Sequence, residues 1–206
     1  MRVVEETVYS IKELSEKAKE KAYYKWLEYA DNPWAEENVE SMKRFVEIFP
    51  IIVRDWSYGY GGNHVSFVFN EDDCIAELSG VRLLSYIKNN YGHLLFKGKY
   101  YSLWSKKEKS PKNPKVGKLK KRYSKVMFEN CCVLTGYCMD DVILNPVYEF
   151  LKNPNKNTTF HDLMDECLDE WIRACDKDHE DCTSMEYFID ECEANEREFY
   201  ENGMSY

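Results

Sequence analysis

No apolar run in this chain approaches the roughly 18–20 residues that a helix needs to cross a bilayer, so no membrane-spanning helix is expected. The opening residues, Met1-Arg2-Val3-Val4-Glu5-Glu6, lack the apolar stretch of a secretory signal. That predicts a protein kept in the compartment of its synthesis, where its eight cysteines stay reduced. Histidine is scarce: His64, His93, His161 and His179 are all there are, and none stands in a local pattern with a nucleophile and an acid. No nucleophile elbow occurs. The glycine-rich stretch Gly59-Tyr60-Gly61-Gly62-Asn63 is followed by neither Lys-Ser/Thr nor a helix start, unlike a phosphate-cradling loop. These absences argue against an enzyme, and no cofactor is implied.

What is present points to a folded α+β chain. Apolar residues make up 44% and charged residues 32% of 206 positions, a globular balance with length for one sizeable core. The expected architecture is a single α+β domain, with a small antiparallel sheet packed by several amphipathic helices. Residues 3–9 alternate as a short strand. Ser10 and Glu13 have capping-box spacing, and Ile11, Leu14, Ala18, Ala22, Trp26 and Tyr29 recur at helical period over residues 11–30. Asn32 and Pro33 restart a helix with Val39, Met42, Phe45 and Phe49 inward. Residues 51–58 and 64–69 read as a hairpin whose glycines permit positive φ. Residues 79–90 read as a helix through Val81, Leu84 and Ile87, and residues 100–104 and 126–128 as strands. Residues 110–117, holding Pro111, Pro114 and Gly117, read as a loop. Thr159 heads a helix with Phe160, Leu163, Met164, Cys167, Leu168, Trp171, Ile172 and Cys175 on its inner face. Thr183 and Glu186 open another, with Met185, Phe188, Ile189 and Cys192 inward, before a terminal strand at Phe199 and Tyr200. Cys167, Cys175 and Cys192 are therefore expected as buried thiols.

Charge is segregated along the chain. Residues 97–125 hold twelve Lys or Arg against Glu108 alone, a net +11, whereas residues 160–206 carry a net −13. Asp162, Asp165, Glu166, Asp169 and Glu170 fall opposite the apolar stripe of their helix and form an acidic ridge. One reading is a solubilising face. The other is a partner-binding surface that imitates a polyanion and enters the basic groove of a nucleic-acid-handling protein. The basic segment divides likewise. It is a surface loop, or a nucleic-acid-binding strip in which Trp104 and Tyr123 stack on bases of RNA or DNA beside Lys118, Lys120, Lys121 and Arg122. A third option docks it on the protein's own acidic helices, within the chain or across a dimer.

Cys175, His179 and Cys182 make the nearest approach to metal-ligand spacing, since one helical turn separates the first two. A structural zinc takes four ligands, and this spacing is neither a finger nor a ribbon. Cys131, Cys132 or Cys138 would have to complete it through the fold, so no metal is predicted.

The chain ends carry a family pattern. Residues 11–22, IKELSEKAKEKA, follow a φ-x-E-L-S-x-x-A-K-x-K-A helix, and residues 192–203, CEANEREFYENG, follow an I-E-A-N-x-x-x-F-x-x-(D/N)-G tail. Together they resemble a family of small acidic proteins of bacteriophages and prophages, some labelled antitoxin-like. The resemblance implies a mobile-element origin and brings no catalytic residues. Small acidic phage accessory proteins frequently block host defence, anti-CRISPR proteins among them. The implied function is a non-catalytic inhibitor in the bacterial cytoplasm, its partner a nucleic-acid-directed protein such as a CRISPR effector ribonucleoprotein. An antitoxin-like or regulatory nucleic-acid-binding module using residues 97–125 is the alternative.

Overall fold

Ser10 and Glu13 close on each other as their spacing predicts. The Glu13 carboxylate accepts from the Ser10 amide at 2.8 Å and from its hydroxyl at 2.9 Å. The turn that they cap is short. The protein, seen here as a computed structural model, is described over residues 6–59, 62–70, 73–96, 99–103, 124–128 and 131–206. In it Ile11–Glu13 forms one 3-10 turn behind β1 (Tyr9–Ser10), and Leu14 leaves helical geometry. Ser15 then caps a fresh start, α1 (Glu16–Leu27), by accepting from the Ala18 amide. The single helix expected over residues 11–30 is thus two pieces, because a second serine competes for the free amides of the first turn. Tyr29, expected inward, lies beyond α1 and is exposed. Residues 6–8 carry no strand pairing, and residues 3–5 lie outside the described residues.

The remaining elements follow as α2 (Ala35–Ile48), β2 (Ile51–Ser57), β3 (His64–Phe69), α3 (Asp73–Ala76), α4 (Gly80–Asn90), β4 (Lys99–Leu103), β5 (Ser124–Phe128), α5 (Met139–Lys152), α6 (Phe160–Cys182), α7 (Met185–Ala194) and β6 (Glu198–Phe199). This is an α+β fold with three two-stranded sheets among the described residues. β1 pairs antiparallel with β6, and β4 with β5, in register Lys99↔Phe128 to Leu103↔Ser124. β2 and β3 pair as a hairpin, with the Asn70 amide donating to Pro50 O at its base. Gly59 and Gly62 at its tip have φ of +118° and +92°. Among the described residues no helix is long and apolar enough to cross a membrane.

The chain divides into two compact units, Met1–Glu36 with Asp55–Val65 and Ile172–Tyr206, and Glu37–Arg54 with Ser66–Trp171. The first unit is built from the two chain ends. Ile11, Leu14, Ala18, Ala22, Phe188, Cys192 and Phe199 form its apolar core. Tyr9 pairs across with Phe199. Gly203 lies so close to α1 that a Cβ there would stand 2.1 Å from Ala18 O, and its φ is +80°. Only glycine satisfies both the close approach and the left-handed backbone.

The second unit buries Phe45, Phe49, Leu83, Ile87, Leu95, Ile143, Leu144, Val147, Phe160, Leu163, Met164, Cys167, Leu168 and Trp171. The Trp171 indole donates to Asn38 O at 2.8 Å, so its one polar group is satisfied inside the core. α4 turns Leu83 and Ile87 inward and leaves Val81 exposed, a rotation of the expected face. α7 begins one residue later than expected, because Ser184, not Thr183, accepts from the Tyr187 amide. α5 was not foreseen at all; Pro146 stands inside it, where a sequence reading meets a helix breaker.

Candidate functional site

α6 runs for 23 residues, and its apolar period decides what the other face displays. Phe160, Leu163, Met164, Cys167, Leu168 and Trp171 are buried, while Asp162, Asp165, Glu166 and Asp169 are exposed and Glu170 is half-buried. The ridge read from the sequence is therefore on the surface. Its members differ in their bonding. Asp162 is a cap: its carboxylate accepts from the Thr159 amide at 2.9 Å and its own amide donates to Thr159 Oγ1 at 3.1 Å. The Thr159 amide, and then its hydroxyl, hold the Asp162 carboxyl below the usual range. Asp165 faces His161 Nδ1 at 3.3 Å, yet lost hydration, aided by repulsion from Asp169 and Asp162, pushes its carboxyl above the ordinary value. Glu166 and Glu170 also line a cleft of about 270 Å³ with Glu149, Asn145, Asn153 and Asn155. Pro146, Phe150 and Leu163 line it too, so it offers apolar surface for the stem of a Lys or Arg and carboxylates for its charged head. The basic candidates Trp104, Lys118, Lys120, Lys121, Arg122 and Tyr123, and the loop over residues 110–117, lie outside the described residues.

The cysteines sort in two. Cys167, Cys175, Cys182 and Cys192 are buried, whereas Cys74, Cys131 and Cys138 are exposed and Cys132 is half-buried. Burial drives the Cys167 and Cys175 thiols upward, away from reactivity. Cys175, His179 and Cys182 are not gathered as ligands. Among the described residues the group that converges is Cys131, Cys132 and Asp141, whose ligand atoms all lie within 4.8 Å of one another.

A buried carboxylate builds that corner. Asp140 is fully buried, and one of its oxygens, Oδ2, accepts from the amides of Leu134, Thr135 and Gly136 at 2.9, 2.7 and 2.9 Å. The other, Oδ1, accepts from the hydroxyls of Ser41 and Thr135, each at 2.7 Å. Burial alone would raise its carboxyl, but the bonds from Thr135, Gly136 and Ser41 outweigh it and hold the group below the usual range. The loop over residues 131–139 is thereby tied to α5 and to α2. Next to it the Cys132 amide donates to Asp141 Oδ1 at 2.7 Å. Burial, then the Cys131 sulfur and the charge of Asp141, push the Cys132 thiol up to about 12. The spacing Cys131-Cys132-x5-Cys138-x2-Asp141 was the available sequence signal, but it acquires meaning only once α5 is recognised.

One serine, one histidine and one aspartate also fall in line, on the β2–β3 hairpin. Ser57 Oγ lies 2.7 Å from His64 Nδ1, and His64 Nε2 lies 2.9 Å from Asp55 Oδ2. Ser57 Oγ also donates to Gly62 O at 2.5 Å, which uses its only proton. His64 thus links Ser57 to Asp55 as a clasp across the hairpin. Comparison with protein-family models, with curated proteins and with solved structures gives no match for this chain.

Proposed function

We propose that this chain is a non-catalytic binding protein of bacteriophage type, acting in the cytoplasm of a bacterial host. It inhibits a nucleic-acid-directed defence protein, such as a Cas effector, by laying the acidic face of α6 in the groove that the effector keeps for nucleic acid. The observation that supports this is the ridge itself: Asp165, Glu166 and Asp169 exposed on a helix whose opposite face is locked into a core. Carboxylates on a rigid helix present charge at fixed spacing, which a basic groove reads much as it reads phosphates. The cleft beside Glu166 and Glu170 adds a seat for one Lys or Arg of the partner.

Charge reversal of Asp165, Glu166 and Asp169 to Lys tests it; Asp162 is left in place because it caps α6. Against a panel of purified effector ribonucleoproteins, the wild type binds at least one and the triple variant loses that binding while melting at the same temperature. Binding weakens steeply with salt, because exposed charges are screened within about 10 Å at 0.1 M. A second reading has its own observation: β4 and β5 pair on either side of residues 104–123 and frame the basic segment. If that segment binds RNA or DNA, a gel shift is abolished by neutralising Lys118, Lys120, Lys121 and Arg122, and the triple variant is without effect. That outcome would replace the inhibitor reading.

A further inference from the structure

Three groups able to hold a soft metal converge at the first turn of α5, Cys131, Cys132 and Asp141, and Cys138 stands at the start of that helix outside the cluster. Two of the distances can be compared with a real centre. Thiolates that share a tetrahedral zinc at ~2.3 Å stand ~3.8 Å apart, and a thiolate and a carboxylate oxygen on it stand ~3.6 Å apart. Here Cys131 Sγ and Cys132 Sγ are 3.5 Å apart, and Cys132 Sγ is 3.8 Å from Asp141 Oδ2. The outer contacts fit as well. The Cys132 amide holds Asp141 Oδ1, which turns Oδ2 toward the sulfurs, as hydrogen-bonded partners orient metal-binding carboxylates elsewhere. Asp140 fixes residues 134–136 immediately behind. Cys132 is held at φ +46°, a costly conformation for a residue with a Cβ. Two thiols and a carboxylate so close repel when ionised, and a divalent cation relieves all three at once.

We infer that Cys131, Cys132 and Asp141 bind a thiophilic divalent cation of the zinc class, which staples the loop ahead of α5 to the helix's first turn. The fourth position is taken by the Cys138 thiolate or by water. Cys138 is the residue that precedes α5, one turn before Asp141 in the chain. Thiolate ligands favour zinc over magnesium, calcium or manganese. The inference is independent of the role proposed for α6, since it concerns other residues and a different ligand.

The test uses the full chain, purified anaerobically, loaded with Zn²⁺ and passed over a desalting column. About one zinc per chain is expected by elemental analysis. In cobalt-loaded protein, a thiolate-to-metal charge-transfer band is expected, with less intensity in Cys138→Ser if that thiol is the fourth ligand and unchanged intensity if water is. Cys132→Ser and Asp141→Asn should each weaken binding at least about tenfold, the loss that even an outer-shell partner's removal produces. Cys175→Ser should not. Should those variants misfold, alkylation of the wild type decides: bound metal shields Cys131 and Cys132, and a chelator exposes them. No zinc retained, zinc retained equally by all variants, or a Cys131–Cys132 disulfide in metal-free protein would each overturn the site.

Discussion

The tail after α7 is held by apolar side chains and by one side chain that is missing. Phe199 sinks into the core beside Ala18 and Ala22, and Gly203 rests against the α1 backbone. The loop ahead of α5 is held by other means: five hydrogen bonds converge on the Asp140 carboxylate. The difference predicts opposite vulnerabilities. Added volume should break the tail and leave the loop intact, whereas lost hydrogen bonds should break the loop and spare the tail.

The largest effect should follow Gly203→Ala. The added Cβ meets Ala18 O at 2.1 Å, and the backbone is already left-handed. Strain of this kind costs about 1–3 kcal/mol, and the collision adds to it, so about 3–4 kcal/mol should be lost by urea denaturation. Amides of residues 198–206 should exchange faster, while those of the 131–139 loop keep their protection. A loss below about 1 kcal/mol would mean that the tail can lift from α1 without consequence.

Asp140 should come next. Asp140→Ala strands three amides and two hydroxyls, and a buried unsatisfied group costs about 1–3 kcal/mol, so a loss near the top of that range is expected. Asp140→Asn should cost less. Its carbonyl can take the Oδ2 place before the three amides, while its NH₂ faces the Ser41 and Thr135 hydroxyls, which can turn to accept. Acid should act as the substitution does. Because the folded value is depressed, the Asp140 contribution is complete above the ordinary carboxylate value and is lost as pH falls through the folded one. Chemical-shift changes at Leu134, Thr135 and Gly136 should report it. Equal losses for Ala and Asn would show that charge, not bond count, holds the loop.

The same contrast explains what could be read from the sequence. Apolar periodicity reports burial directly, so the buried face of α6, its exposed acids, the hairpin and a short strand near Phe199 were legible, though not its pairing with β1. Where polar groups make the structure, the pattern is silent. Ser41 faces inward on α2 because Asp140 meets its hydroxyl there, a partner 99 residues away, and the indole of Trp171 reaches the main-chain carbonyl of the buried Asn38 from 133 residues away. Val39 was the apolar choice at that turn and is only half-buried. The Ser10–Glu13 contact was read correctly but the cap of α1 is Ser15, and the adjacent candidates Thr183 and Ser184 differed only in backbone geometry that the sequence does not carry. The Cys131, Cys132 and Asp141 group went unseen because α5 did, and the acidic ridge was seen because a helix with one buried face must display the other.

The smallest effect concerns the hairpin clasp, which is held by polar contacts as the Asp140 loop is, but in water. His64, through its hydrogen bond and then its charge, keeps the Asp55 carboxyl below the ordinary value. Both groups are largely exposed, so little stability is at stake. Its sign is nonetheless fixed. The Asp55 contribution is present above the ordinary carboxylate value and fades as pH falls through the depressed one. Carbon-detected titration of Asp55 should show the lowered value, and His64→Ala should return it to the ordinary range with Tm nearly unchanged. Salt should shrink the Asp55 shift far more than the Asp140 shift, since water screens an exposed pair and not a buried carboxylate. An Asp55 value unmoved by His64→Ala would show that the ring does not reach it in solution, leaving Ser57 and Gly62 alone to close the tip.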